Sequence, residues 1–170
     1  MGRSKLVFLI WYLVKCVFFL SPLPWPSSLR CALLRIFGAR VGTGVYLKPR
    51  INIHLPWNLS LGDHTWVGEE ASIVNFAPIS VGAQCCISQR AFLCSGSHDY
   101  RSESMRYRHA PIVLMDGVWI AAQAFVGPGV TVATDAVVTA GAVVTRDLPA
   151  AMVCSGNPAV PVRPRWKDTV

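Results

Sequence analysis

The residue best suited to chemistry in this chain is His98, one of four histidines. It follows a segment typical of a short strand, and it opens the stretch 97–111, which has no aliphatic run. A side chain at such a boundary is positioned by a rigid element yet exposed at its edge, as catalytic residues often are. An imidazole can take a hydroxyl proton at neutral pH and later return it. The alternative is a loop histidine that caps a turn or bonds solvent.

A candidate nucleophile, Cys94, lies inside the preceding strand-like run, and we interpret it as a core thiol. The six cysteines include no CxxC pair, and the adjacent Cys85 and Cys86 suit neither a zinc site nor an ordinary disulfide. We therefore predict reduced, mostly buried thiols. The histidines lack the closely spaced pair that a zinc site built from three of them would show, so no metal is expected.

An internal repeat predicts the elements that must position His98. In the C-terminal half, one aliphatic residue recurs every six residues without a slip, and a small apolar residue follows it four positions later. The same frame occurs three times earlier in the chain, with interruptions near Pro56 and Pro78. The aliphatic positions of the uninterrupted half are Leu114, Ile120, Val126, Val132, Val138 and Val144.

A period of six does not fit an α-helix, but it fits a short strand followed by a tight corner. Three such units close one triangular coil of 18 residues, and stacked coils pair their strands in parallel. The sequence therefore predicts an all-β parallel β-helix of about five coils. Residues 97–111 do not follow the repeat and should therefore form an extended external loop.

The N-terminal segment is different in character. Residues 6–20 are apolar except for Lys15, and a proline-rich stretch at 21–26 ends any helix there. The run is too short to span a membrane and lacks a signal-peptide cleavage site. It fits a helix packed on the protein or on a partner subunit, which we favour because it is apolar all round. The alternative is a helix lying in the membrane interface. A second short helix is expected over residues 28–37.

Composition narrows the class further. The chain has 170 residues, 52% of them hydrophobic and 15% charged, which excludes a disordered protein. Its formal charge of +7 suggests anionic partners, such as a phosphate-bearing cofactor or a phospholipid surface. The basic residues are dispersed and have no aromatic platform among them, so a nucleic-acid partner is not expected.

The chain resembles the hexapeptide-repeat O-acetyltransferases, which fold as a left-handed parallel β-helix. The segment SGSHDY at residues 95–100 is similar to the histidine step of the maltose, galactoside, nodulation and colanic acid acetyltransferases. Further similar stretches run nearly the length of the chain, among them PWNLSLGDHTWVGE at 56–69, APIVLMDGVWI at 110–120 and SGNPAVPVRPR at 155–165.

The resemblance implies an acetyl-CoA-dependent enzyme in which His98 is the general base for a sugar hydroxyl that attacks the thioester directly. Asp99 or a backbone carbonyl would orient its ring. The donor acetyl-CoA would lie along the last coils, where Ala121 replaces a usual glycine, Arg146 a usual lysine, and Val160 a common basic residue. The implied donor residues are Trp119, Ala121, Ala122, Ala140, Thr145, Arg146 and Arg163. The implied acceptor residues are Asn75, Asp99 and Tyr100.

The expected organisation is an apolar helical segment (1–40), an acyltransferase β-helix (41–150) and a tail that completes the donor site (151–170). The resemblance also implies a homotrimer, a sugar or lipid-linked saccharide acceptor, and a role in exopolysaccharide biosynthesis. We expect a cytoplasmic protein, at the inner face of the cytoplasmic membrane if residues 6–20 contact lipid. The alternative is a non-enzymatic β-helix that scaffolds a membrane-bound assembly.

Overall fold

The computed structural model describes residues 3–166, most of which form five stacked triangular coils. Each coil contributes one short strand to each of three sides. In chain order the strands are β1 (Arg40–Val41), β2 (Tyr46–Leu47), β3 (Asn52–Ile53), β4 (Leu59–Leu61), β5 (Trp66–Val67), β6 (Ser72–Val74), β7 (Ile79–Val81), β8 (Cys86–Ile87), β9 (Phe92–Cys94), β10 (Gly96–His98), β11 (Tyr107–His109), β12 (Ile112–Leu114), β13 (Trp119–Ile120), β14 (Phe125–Val126), β15 (Thr131–Val132), β16 (Val137–Val138), β17 (Val143–Val144), β18 (Met152–Gly156) and β19 (Ala159–Pro164).

Three sheets form the sides of this coil. The first side is β1-β4-β7-β12-β15, the second is β2-β5-β8-β13-β16, and the third is β3-β6-β9-β14-β17, all paired in parallel. The tail adds β18 in parallel to β16, and β19 folds back antiparallel on β18. The predicted parallel β-helix and its number of coils are therefore confirmed.

The repeat explains why the coils stack. From Leu47 to Val144, each aliphatic repeat residue points into the coil and is at most 3% exposed. The small residues four positions later are also buried, which leaves room for the corners to close. The first repeat residue, Val41, is only half-buried, because it lies at the end of the stack. Burial of one continuous aliphatic column is the main stabilising term of such a solenoid.

Two helices and a π-helical turn cover the N-terminal end of the stack. Helix α1 (Lys5–Val14) continues into the π-helical turn Lys15–Phe19, and α2 (Ser27–Ile36) follows the proline-rich stretch. Trp11 and Phe19 are buried against the first coil, and the Trp11 indole donates to the carbonyl of His54 at 3.0 Å. The predicted packing of the apolar segment on the protein is thus confirmed for one of its faces. No helix within residues 3–166 is long and apolar enough to cross a bilayer.

The excursion after the third coil differs from the simple loop predicted over residues 97–111. It contains an antiparallel hairpin of β10 and β11, in which Gly96 pairs with His109 and His98 with Tyr107. Tyr107 is of a type enriched in strands, and the pairing satisfies backbone groups that would otherwise depend on solvent. This hairpin carries the candidate catalytic residue.

Candidate active site

The base of the hairpin is fixed to the coil by Ser95. This side chain is fully buried, accepts from the backbone N–H of Ala77 and donates to its carbonyl, both at 2.9 Å. Gly96 then passes close to Phe76, since a Cβ at this position would lie 2.5 Å from that ring. A glycine is therefore required where the chain leaves the coil, two residues before His98.

The His98 ring is oriented by a backbone carbonyl. Its Nδ1 lies 2.7 Å from the carbonyl oxygen of Met105, across the hairpin. Because a carbonyl can only accept, this bond requires a proton on Nδ1, so in the neutral ring the lone pair is on Nε2. The ring also packs against Tyr107 with centroids 4.7 Å apart. The tautomer of the neutral His98 ring is therefore set by the Met105 carbonyl.

His98 lines an open cleft of about 480 Å³ at the rim of the coil. The exposed side chains of Tyr100 and Arg108 lie on the hairpin side of the cleft, and Pro128 and Gly129 form its coil side. Tyr100, one of the predicted acceptor residues, is 77% exposed. The cleft therefore offers an aromatic face and a cation beside the candidate base.

The other two predicted acceptor residues, Asn75 and Asp99, form hydrogen bonds with backbone groups in this structure. Asn75 is fully buried, accepts from the N–H of Leu55 at 2.8 Å and donates to its carbonyl at 2.6 Å. Both polar atoms of its side chain are therefore bonded to the backbone between two coils, and Asn75 does not line the His98 cleft. Asp99 accepts from the N–H of Arg101 at 3.1 Å within the hairpin turn. The carbonyl of Met105, rather than this carboxylate, orients His98.

A second and larger cleft, of about 680 Å³, lies on the second side of the coil against the tail. Its lining combines small and β-branched residues with arginine and tryptophan side chains. The Trp119 indole donates to Ser88 Oγ at 2.9 Å, which fixes one wall. The lining residues are Ser88, Gln89, Trp119, Ala121, Ala122, Val137, Thr139, Ala140, Val153, Arg163, Arg165 and Trp166.

Five of the seven predicted donor residues line this cleft, namely Trp119, Ala121, Ala122, Ala140 and Arg163. Thr145 and Arg146 are exposed but do not line it in the single chain.

Sequence reasoning missed Arg165 and Trp166. The Arg165 guanidinium donates to the carbonyls of Gly117 at 2.7 Å and Asp135 at 3.1 Å, and it stacks on Trp166 at 4.5 Å. Their position in the tail, outside the hexapeptide repeat, is the sequence feature that could have indicated them.

The two clefts are at different corners of the coil. The donor-type cleft includes Ala121 and Ala122, which precede β14, whereas Pro128 and Gly129 of the His98 cleft follow it. One strand of the third side therefore separates them along the chain. Within one subunit, His98 and the tail arginines do not converge on a single pocket.

The cysteines of the described residues are all free. Burial raises the pKa of the Cys85 thiol to about 11, so this group is not a thiolate nucleophile at neutral pH. Cys94 is half-buried in β9, and its thiol donates to the Gly96 carbonyl at 3.2 Å. No group of three or more His, Cys, Asp or Glu side chains within residues 3–166 is arranged to hold a metal ion.

A covalent route through Cys94 is tested by Cys94→Ala. We expect this variant to keep acetyl transfer within about twofold of wild type, because the thiol contacts backbone rather than either cleft. The measurement is thiol release from acetyl-CoA, with wild-type protein as the reference. A loss as large as that of a missing nucleophile would assign Cys94 to the chemistry.

The stacked coils and the comparisons with known proteins together define the chain as a β-helix acyltransferase. Comparison with known proteins gives the family. The chain is 39% identical over 168 residues to WcaF of Escherichia coli K12, assigned as a colanic acid biosynthesis acetyltransferase. The aligned region covers 96% of this chain and 90% of that protein. The chain belongs to the hexapeptide-repeat acetyltransferase family. No family model matches it.

Solved structures agree with this placement. A hexapeptide-repeat-containing acetyltransferase of Vibrio cholerae O1 biovar eltor, in complex with acetyl coenzyme A, superposes with a TM-score of 0.87 at 26% identity, over 98% of this chain and 93% of that one. A galactoside acetyltransferase in complex with coenzyme A superposes with a TM-score of 0.86 at 22% identity, over 99% and 90% of the two chains, and supports the fold alone. The β-helix is left-handed, as the sequence resemblance implied.

Proposed function

We propose that this protein is an acetyl-CoA-dependent O-acetyltransferase that acetylates a sugar hydroxyl in exopolysaccharide biosynthesis. The observation that carries the proposal is the His98 ring, whose Nδ1 is bonded to the Met105 carbonyl at 2.7 Å and whose Nε2 is thereby left basic. The similarity to WcaF, over nearly the whole of both chains, supports the biosynthetic role. Family membership and this geometry favour an enzyme over the non-enzymatic scaffold.

The chemistry is a direct transfer. The acceptor hydroxyl gives its proton to His98 Nε2 while its oxygen attacks the carbonyl carbon of the acetyl thioester. The resulting tetrahedral intermediate collapses with cleavage of the C–S bond, and the leaving thiolate takes the proton back from the imidazolium. The Met105 carbonyl stabilises the imidazolium because it accepts from Nδ1–H throughout. Positioning of both substrates supplies much of the remaining rate enhancement.

The cleft at the tail is the proposed donor site. Its small residues, including Ala122 and Ala140, permit close approach of an extended pantetheine chain to the backbone. Arg163 is exposed at the rim and therefore able to meet a phosphate group. Arg165 is committed to the carbonyls of Gly117 and Asp135, so we assign it to holding the tail in place. The V. cholerae relative with acetyl coenzyme A bound supports this donor.

Arg163→Ala tests the donor site. We expect the KM for acetyl-CoA to rise about tenfold with little change in kcat, because a charge-assisted contact to phosphate is lost in the ground and transition states alike. Arg40→Ala, which removes an exposed arginine from the opposite end of the stack, is the matched control. An unchanged KM for Arg163→Ala, or an equal rise for Arg40→Ala, would contradict the placement.

The acceptor cleft fits a sugar or a lipid-linked saccharide. Tyr100 offers an exposed ring, and the Arg108 guanidinium, which lines the same cleft, suits a phosphate or diphosphate group on the acceptor. A panel of nucleotide sugars and lipid-linked saccharides, incubated with acetyl-CoA and followed by thiol release, identifies the acceptor. The proposal fails if no sugar hydroxyl is acetylated and thiol release stays at the background rate.

We further propose that the working unit is a homotrimer in which two subunits share each active site. The separation of the two clefts by β14 supports this arrangement, because a neighbouring copy would bring its donor cleft to His98. Thr145 and Arg146, which lie outside the donor cleft of the single chain, would then be available to a shared groove. Light scattering on a gel-filtration column measures the state, and a monomer with full turnover would overturn the proposal.

The free thiols support a reducing compartment such as the cytoplasm. That location stays a prediction.

A further inference from the structure

The apolar N-terminal segment has two faces, and the protein covers only one of them. Trp11 and Phe19 are buried, and Phe8 packs edge-on against Trp57 at 4.8 Å. The other face, which we call the outer stripe, follows helical spacing along α1 and the π-helical turn. Its members are Leu6, Leu9, Ile10, Leu13, Val17 and Leu20, each between 38% and 63% exposed.

The outer stripe is held rigidly in place. The Trp11 indole donates to the His54 carbonyl at 3.0 Å, and the Trp25 indole donates to the Val17 carbonyl at 3.0 Å. Ser21 Oγ donates to the same Val17 carbonyl at 2.6 Å. The stripe is therefore a preformed surface rather than a frayed terminus. Contiguous exposed apolar residues of this kind mark an interaction site.

The charge of the chain indicates what covers the stripe. Residues 1–62 contain eight Lys and Arg and no Asp or Glu, whereas the rest of the chain has eight basic and nine acidic residues. The net positive charge is thus carried by the helices and the first coil, and of these eight residues Arg30 is buried and Arg50 is paired with Glu69. Two of these basic residues, Arg3 and Lys5, are exposed at the start of α1, beside Leu6.

We infer that the outer stripe docks onto the surface of an anionic phospholipid bilayer. A rigid helix with an exposed apolar face, basic flanks and no acidic residue fits the interface, where acyl chains meet anionic headgroups. Tyr12, 58% exposed beside the stripe, is the residue type that sits at headgroup level. A second copy of the chain fits less well, because two such layers would bring like charges together.

Vesicle binding of the full chain tests this inference independently of acetyl transfer. We expect the protein to sediment with vesicles of equal parts phosphatidylcholine and phosphatidylglycerol, and much less with phosphatidylcholine alone. Leu9→Gln/Leu13→Gln should weaken binding to the anionic vesicles about tenfold, since two anchoring side chains are lost. Arg3→Gln/Lys5→Gln should weaken it by about tenfold as well, and only at low salt.

The matched control is Met115→Gln/Val160→Gln, which makes the same number of polar changes at exposed apolar positions of the β-helix. It should bind vesicles as wild type does, and thermal unfolding should show all three double variants folded. The inference is overturned if wild type stays in the supernatant with both lipids, or if the stripe variant binds like the control. It is equally overturned if the stripe variant changes the oligomeric state while wild type ignores lipid, because the stripe then covers a second copy.

Discussion

His98→Ala should fold and bind acetyl-CoA normally yet lose about 10²–10⁴ in kcat, the usual contribution of a general base. The ring is exposed and its one hydrogen bond is to the Met105 carbonyl, which solvent can replace. The loss should therefore appear in the chemical step rather than in stability or donor binding. The measurement is kcat for thiol release, with acetyl-CoA affinity from calorimetry and the unfolding midpoint determined on the same preparation.

Two further variants make the result specific. His98→Asn keeps a polar side chain of similar reach without a basic nitrogen, and it should be as inactive as His98→Ala. His64→Asn is the matched control, because His64 is an exposed histidine at a coil corner with φ of 56°, a conformation that asparagine tolerates. Turnover of His98→Asn near the wild-type value would refute the assigned role, and so would an equal loss in His64→Asn.

Arg30→Met should lower the free energy of unfolding by about 3–5 kcal/mol, the largest stability effect we expect from a single substitution. Arg30 is 2% exposed and lies on α2. Its guanidinium donates to four backbone carbonyls, and burial lowers its pKa. The acceptors are the carbonyls of Phe18, Leu23, Trp25 and Leu47, at 2.8, 3.2, 2.8 and 3.3 Å.

The cost arises because methionine fills the space but leaves these carbonyls without their donor in a dry environment. Three of the four acceptors belong to the segment that links α1 to α2, so this arginine ties that segment to the first coil. Arg35→Met, on the same helix, is the control and should cost less than about 1 kcal/mol, since Arg35 is exposed. Denaturant unfolding measures both variants. Equal midpoints for Arg30→Met and wild type would show that the buried guanidinium is not needed for stability.

The hexapeptide frame predicted the coil because its physical cause is local. An aliphatic side chain at every sixth position has one way to be buried along the whole chain, which is a column of short strands and corners. Leu93 and Val126, far apart in sequence, are paired on one side for that reason. The helices were predicted nearly as well: α2 spans Ser27–Ile36 against an expected 28–37.

The candidate site was less fully predictable. The position of His98 at the edge of a rung was apparent from the residues, but its partner was not, because the Met105 carbonyl reaches it only across the hairpin. A sugar contact for Asn75 is predicted by the resemblance alone. Its two hydrogen bonds to Leu55, in the preceding coil, explain why an asparagine is buried there without a ligand. The six-residue repeat does not predict such contacts between coils.

Residue type and spacing along the chain are enough to predict the coil, its length, the position of His98 at a coil edge and the apolar character of the N-terminal segment. The folded chain is needed to see which face of that segment is covered, which nitrogen of His98 is free, and that the two clefts occupy different corners. These features depend on contacts between backbone groups far apart in the sequence, and a local sequence pattern does not specify such contacts.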